Sequence, residues 1–280
     1  MKKHITILLL LVTSYGWCQT YKTKFEESLA AQGINTVIIS NVYGAVDIQG
    51  TKGDQIDVSA DVLMRGNDDK QLEKLKNGVT LGMERLSDTL LIYSKVAWLC
   101  DRYLCKKNCH FHWNSDEDGE FLFDFAVSLP KGLNVEAATV NDGDINIFDI
   151  SGRVSVDNVN GSINLHGVSN VVKARTINGE LTAQFDKAPT VPGSFYALNG
   201  DITSEFPNDL SADIGFKSFN GEFFTDFAFA QSDKTSELKV SESGSGTKYK
   251  LEEKSGISVG GGGVALKFET LNGDMYVKRK

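Results

Sequence analysis

Proline, cysteine and histidine each occur only four times in 280 residues. Scarce proline beside 27 glycines, with aromatic and β-branched residues throughout, favours an all-β chain with many turns. Histidine offers little for catalysis. His4 lies in the opening segment, His110 and His112 sit beside cysteines, and His166 stands alone with no nucleophile at a useful spacing. Gly-x-Ser-x-Gly, His-Glu-x-x-His and a phosphate loop are all missing. Positive charge is also short: 29 basic against 37 acidic residues gives −8, which argues against a nucleic-acid partner, whose phosphates must be neutralised by Lys and Arg. Beyond the first dozen residues no run approaches the ~20 apolar residues of a membrane-spanning helix.

What is present begins with a secretory pattern. Met1-Lys2-Lys3, an apolar run from Ile5 to Val12, then Ser14-Tyr15-Gly16-Trp17-Cys18-Gln19 follow the order of a signal peptide over 1–18. The mature chain is expected to start at Gln19 and to be periplasmic, outer-membrane-associated or secreted. Lipidation of Cys18 is the rival reading, opposed by the bulk of Trp17. Three cysteines remain after processing, in the segment that runs from Cys100 through Cys105 and Cys109 to His110 and His112. An exported chain favours a disulfide among them. Three thiolates with one of the two histidines would also suit zinc, although the spacing matches no zinc signature. No cofactor is expected.

The N-terminal part, 19–130, reads as a cap with irregular β coils. Lys22–Gln32 is expected to be a short helix, with Phe25 and Leu29 one turn apart. Asp68–Asn77, with Leu72 and Leu75 before Gly78, is expected to be a second one. Ile56, Val58, Ala60 and Val62, and later Phe121 to Leu129, alternate as strands. The insertion over 98–118 carries the cysteines.

From 131 to 280 the text repeats. Copies centred on Gly143, Gly161, Gly179, Gly200 and Gly221 are spaced 18, 18, 21 and 21 residues apart, and another is centred on Gly273. An imperfect early copy lies in Thr36–Ile48, with Tyr43 in the Asn place before Gly44. So regular a period marks stacked copies of one unit. The corner is Asn-Gly: Asn160-Gly161, Asn178-Gly179, Asn199-Gly200, Asn220-Gly221 and Asn272-Gly273. Apolar residues stand two before each glycine (Val159, Ile177, Leu198, Phe219, Leu271) and mostly two after it, and an acid or Ser162 directly follows it. A hairpin at Asn-Gly would put the first apolar column beside the acids in water. A sideways corner in a β-solenoid, with both apolar columns inward, is therefore expected, and the asparagines are expected to form a stacked ladder. The acids, Asp144, Glu180, Asp201, Glu222 and Asp274, form a solvated edge or, on the sharper reading, a place for calcium. The charged ending Val277-Lys278-Arg279-Lys280 is expected to close the stack against further strands.

Thr176-Ile-Asn-Gly-Glu-Leu, Ala197-Leu-Asn-Gly-Asp-Ile, Ser218-Phe-Asn-Gly-Glu-Phe and Thr270-Leu-Asn-Gly-Asp-Met resemble the Thr-Val-Asn-Gly-Asp-Ile repeats of a bacterial putative-adhesin family. The chain is similar to the head domain of putative auto-transporter adhesins. This resemblance implies a right-handed parallel β-helix, export and an adhesive role, and it brings no catalytic residues. The expected function is thus a non-enzymatic binding or scaffold module whose partner is a protein or glycan of the cell envelope. The alternatives are a polysaccharide-active enzyme, using acids such as Asp201 and Glu222, and a metal-binding periplasmic sensor.

Overall fold

The computed structural model describes residues 19–97, 119–231, 237–243, 246–252 and 255–280. The leader, Cys18 and the cysteine insertion with Cys100, Cys105, Cys109, His110 and His112 lie outside the described residues. The first part holds β1 (Gln19–Ala30), β2 (Thr36–Ser40), β3 (Val46–Thr51), β4 (Gln55–Gly66), α1 (Asp69–Gly78), β5 (Val79–Leu86), β6 (Thr89–Val96) and β7 (Glu120–Pro130). The repeats supply β8 (Asn134–Thr139), β9 (Ile145–Phe148), β10 (Arg153–Asn158), β11 (Ile163–Val168), β12 (Asn170–Asn178), β13 (Leu181–Phe185), β14 (Gly193–Asn199), β15 (Ile202–Phe206), β16 (Ala212–Asn220) and β17 (Phe223–Thr225). The chain ends with β18 (Phe229–Gln231), β19 (Glu237–Ser243), β20 (Gly246–Glu252), β21 (Ser255–Val259), β22 (Val264–Asn272) and β23 (Met275–Arg279).

Two large sheets enclose one core. Sheet A has ten strands in the order β1-β4-β7-β3-β9-β11-β13-β15-β23-β17, and sheet B has eleven, β5-β6-β2-β8-β10-β12-β14-β22-β16-β21-β18. Each repeat gives one strand to sheet B, turns a corner and gives the next strand to sheet A. Equivalent strands of neighbouring coils pair in parallel, as β10 with β12 and β11 with β13. This is an all-β, β-solenoid-like architecture with one short helix.

Period-two alternation places the inward residues. Phe121, Phe123, Phe125, Val127 and Leu129 of β7 are all buried, as are Ile56, Val58, Ala60, Val62 and Met64 of β4. In the repeats the inner column two after the corner glycine, Ile145, Ile163, Leu181, Ile202 and Met275, is fully or almost fully buried, and only Phe223 of the β16–β17 coil is half-buried. Aromatic rings fill the core between the later coils: Phe185 stacks on Phe206 at 4.4 Å and Phe195 on Phe268 at 4.7 Å.

The helix over Asp69–Gly78 forms as its sequence suggests. Asp68 caps it, accepting from the Gln71 amide at 2.8 Å, and Leu72 and Leu75 enter the core. The helix expected over Lys22–Gln32 does not form. All but the last two of those residues belong to β1, which runs antiparallel along β4 with Phe25 opposite Ala60 and Leu29 opposite Ile56. A separation of four is one helical turn but also two strand periods, and the free edge of β4 decides between them.

The expectation that the charged ending closes the stack is corrected as well. The coil with β22 and β23, last in sequence, is not last in the stack; it lies between the β14–β15 coil and the β16–β17 coil. The charged ending therefore sits inside sheet A, where β23 is flanked by β15 and β17, and closes nothing. The turn over Gly260–Gly263 that delivers this coil has left-handed φ at Gly260, Gly261 and Gly262 (61°, 86° and 84°).

Candidate functional site

The corners are the feature common to every coil, and each residue in them has a separate task. The asparagine amides form a continuous row. Asn160 donates to Asn141 (2.7 Å), Asn178 to Asn160 (2.8 Å), Asn199 to Asn178 (2.8 Å), Asn272 to Asn199 (2.7 Å) and Asn220 to Asn272 (2.8 Å), each from Nδ2 to Oδ1. In the first copy Asn141 takes the ladder place, and Asp142 is the extra residue, with φ 59°. Tyr43 bridges Asn141 one coil earlier.

Glycine follows because adjacent corners nearly touch. A Cβ on Gly161, Gly179, Gly200, Gly221 or Gly273 would collide with the carbonyl of a glycine in the neighbouring coil. The backbone amides are used between coils as well: Gly161 N donates to Asn178 O at 2.9 Å and Asn178 N to Val159 O at 2.8 Å. With these groups bonded to neighbouring coils, the Asn-Gly corner bends the chain sideways without forming a hairpin.

The residue after glycine carries a second ladder. Asp144 Oδ1 accepts from Ser162 N (2.7 Å), Ser162 Oγ from Glu180 N (3.3 Å), Asp201 Oδ1 from Asp274 N (2.8 Å) and Asp274 Oδ1 from Glu222 N (2.8 Å). The short acids and Ser162 thus tie one coil to the next. Among the described residues no cluster of three or more His, Cys, Asp or Glu side chains could hold a metal ion. Asp201 and Glu222 are not neighbours, because the inserted coil puts Asp274 between them.

The inward polar column three before each glycine was not singled out from the sequence. Asn158 Nδ2 donates to Gly143 O (3.1 Å), Thr176 Oγ1 to Gly161 O (2.9 Å), Thr270 Oγ1 to Gly200 O (3.3 Å) and Ser218 Oγ to Gly273 O (3.4 Å). Thr139 does the same for Gly44 O at 2.8 Å. Asn158 and Thr176 are fully buried. The recurring Thr or Ser in the quoted repeats was the available signal.

This column overturns the expectation that both apolar columns face inward. With Ala174 and Thr176 buried, strand alternation turns Ile177 outward. Val159, Ile177 and Leu198 are half-buried on the outer face of sheet B, whereas Leu271 is 40% and Phe219 80% exposed. The parallel coil stands even though the argument from faces does not.

Outside the corners, sheet A presents rows of polar side chains. Asn164 donates to Asn146 (2.9 Å), which donates to Asp47 (2.7 Å). His166 stacks on Phe148 at 5.4 Å and Tyr276 on Phe224 at 5.1 Å, both nearly parallel, while on sheet B Arg175 lies over Tyr196 at 5.5 Å. Rings stacked on one another across strands cover each other's faces. Partial burial, then the hydrogen bond to Asp274 (3.1 Å) and its charge, hold the Tyr276 phenol above its ordinary pKa, with Asp201 and Glu222 adding to the effect. Over β1, β4 and β7 lies an open groove of about 440 Å³ lined by Glu26, Glu27, Ser28, Asp57, Ser59 and Ser128 among others, in which Ser28 donates to Asp57 at 2.6 Å.

At the far end of the stack the last coil, β16–β17, leaves an edge. In sheet A, β17 pairs only with β23 among the described residues. In sheet B, β21 covers β16 only along Ala212–Phe216. Phe219, Phe224 and Phe229 are exposed around this end, and Phe216 and Phe223, stacked at 4.0 Å, are only half-buried.

Residues 124–257 match the family model Toastrack DUF4097. The matched stretch runs from β7 into β21 and takes in the corners from Gly143 to Gly221. Among solved structures the chain is similar to a putative cell adhesion protein from Clostridium sporogenes, at 10% identity over 93% of this chain and 100% of that one, with a TM-score of 0.45. It is also similar to a putative adhesin from Bacteroides fragilis (11% identity, 92% and 97% covered, TM-score 0.33) and to a putative lipid binding protein from Parabacteroides distasonis (9% identity, 92% and 96% covered, TM-score 0.25). No curated protein matches. No helix among the described residues is long and apolar enough to cross a membrane.

Proposed function

We propose that this chain is an exported, non-enzymatic binding module of the cell envelope, adhesin-like in role, with 1–18 as its removable leader and a right-handed winding. Residues 19–130 act as cap and irregular coils, and 131–280 as the regular array. The observation that carries this reading is the use made of the aligned polar side chains. The carboxylates of Asp144, Asp201 and Asp274, the kind of group that would supply acid and base in a glycan-cleaving enzyme, here accept backbone amides of the next coil, and the asparagine amides bond one another from coil to coil. The stack is a rigid platform with two broad outer faces, suited to holding a large ligand.

The test is retention of the purified, tagged mature chain on isolated envelopes. Saturable retention, with no shortening of envelope polysaccharide, is the expected result. Polysaccharide cleavage lost on Asp201→Asn or Glu222→Gln would overturn it, as would failure of the wild-type chain to be retained.

A further inference from the structure

Six Asn-Gly pairs stand in the chain, and five of them are corners of the stack. Asparagine is a thermolabile residue, and a following glycine makes it most so. With no side chain beside it and a backbone free to rotate, the glycine nitrogen can reach the asparagine Cγ and close a ring. It does so only where it can turn and give up its proton.

The stack withholds that freedom at four corners. There the glycine amide donates to the corner asparagine of the next coil: Gly161 N to Asn178 O (2.9 Å), Gly179 N to Asn199 O (3.1 Å), Gly200 N to Asn272 O (2.9 Å) and Gly273 N to Asn220 O (3.1 Å). The asparagines of the same corners each accept at Oδ1 from the side-chain amide of the next coil. Attacking nitrogen and side-chain carbonyl are thus both engaged, and all four glycines are half-buried. The sixth pair, Asn77–Gly78, lies in the last turn of α1 with Gly78 buried.

The Asn220–Gly221 corner is different because it belongs to the last coil. Asn220 is held from the inner side alone, its carbonyl accepting from Gly273 N and its Nδ2 donating to Asn272 Oδ1. Gly221 N and Asn220 Oδ1 have no partner among the described residues, and both residues are exposed. The outer strand β21 runs along β16 only as far as Phe216 and stops short of this corner.

We infer that Asn220–Gly221 is a self-modification site of the folded protein, at which Asn220 becomes isoaspartate or aspartate. Hydroxide or water takes the proton from Gly221 N, and the nitrogen attacks Asn220 Cγ. The N–Cγ bond forms as the Cγ–Nδ2 bond breaks, and the side-chain nitrogen leaves as ammonia with a proton from solvent. Water then opens the succinimide. Attack at Cγ restores the ordinary backbone with an aspartate side chain. Attack at the main-chain carbonyl carbon leaves the chain running through Cγ, one methylene longer. The sum is one water consumed and one ammonia released, with no oxidant or cofactor. Either product places a carboxylate beside Glu222 and ends the amide bond from Asn220 to Asn272. The inference goes beyond the binding-module reading and does not rest on it.

The test holds the purified mature chain folded in mildly alkaline buffer, samples it over time and digests it with trypsin. Each of three peptides carries a single Asn-Gly pair: Ser218–Lys234 has Asn220, Thr176–Lys187 has Asn178 and Phe268–Lys278 has Asn272. Mass spectrometry should find the amide converted to acid in Ser218–Lys234 about tenfold or more faster than in the other two, which react only through local opening of the stack. In guanidinium chloride the three rates should converge, because each pair then sits in a loose chain. Equal rates in the folded protein overturn the inference. So does a difference that persists undiminished in the unfolded chain, since local sequence and not the open corner would then set the rate.

Discussion

Thr176→Val tests whether the inward polar column holds the corners together. The substitution keeps the β-branched shape and removes one hydroxyl, which is fully buried and donates to Gly161 O at 2.9 Å. No other donor reaches that carbonyl among the described residues, and water cannot replace the hydroxyl inside the packed stack. Leaving a buried acceptor unpaired costs about 1–3 kcal/mol, and burying a methyl in place of the hydroxyl offsets part of this. A net loss of about 1–2 kcal/mol is expected. In a chain of this size each kcal/mol moves the melting temperature by about 2–4 °C, so the midpoint should fall by about 2–8 °C in calorimetry or circular dichroism. The urea dependence should keep its slope, because the surface exposed on unfolding is the same. A midpoint equal to wild type would refute the assignment and leave Thr176 a mere spacer, as Ala197 is in the next coil.

Phe268→Ala should cost about 3–5 kcal/mol by opening a cavity between Phe195 and Phe216, whereas Phe219→Ser, on the 80% exposed residue, should stay within about 0.5 kcal/mol; chemical denaturation of both distinguishes the inner from the outer column. Gly260→Ala forces a Cβ onto a residue with φ 61° and against the Leu210 carbonyl, so a destabilisation of about 1–3 kcal/mol is expected, with faster hydrogen exchange in β22 and β23; unchanged exchange would contradict it. Tyr276 should ionise at higher pH than a free tyrosine in an ultraviolet titration, and Asp274→Asn should move it part of the way back. Since the folded chain then holds that proton more tightly than the unfolded one, its contribution is whole below the ordinary tyrosine pKa and is lost as pH rises through the folded value; a stability that rises with pH across that range would contradict the assignment.

Much of the fold could be read from residues because the same physical demand recurs at every corner. Gly recurs where two backbones come into contact, and Asn recurs where an amide must both donate and accept. The helix over Asp69–Gly78 was legible because cap, apolar pair and terminal glycine all agree. The strand Gln19–Ala30 was not, because Phe25 and Leu29 satisfy both periods and the deciding fact is the distant edge of β4. The outer column misled for a related reason. Ile177, Leu198 and Phe219 are the largest side chains before the corner, and hydrophobicity alone assigns them inward. The residue that does face inward is a small donor which varies between Asn158, Thr176, Ser218 and Thr270 and has no common hydropathy. Its task is visible only once the neighbouring coil's carbonyl is in place.

The order of the coils lay beyond any reading of the repeats, because their corners are interchangeable. Asn220 and Asn272 carry the same amide, and either could follow Asn199. What fixes the order lies outside the repeat. The segment after β17 returns as β21 antiparallel to β16 and occupies its outer side as far as Phe216. The glycine run then carries the chain across the start of β16, where Ser211 Oγ bonds both Gly260 O (3.0 Å) and Gly262 O (2.6 Å). With the outer side of β16 taken, the next strand can pair only on its inner side, between β14 and β16. The four glycines that read as a loose turn are therefore the crossing that inserts the final coil, and the same crossing leaves the β16–β17 coil at the edge.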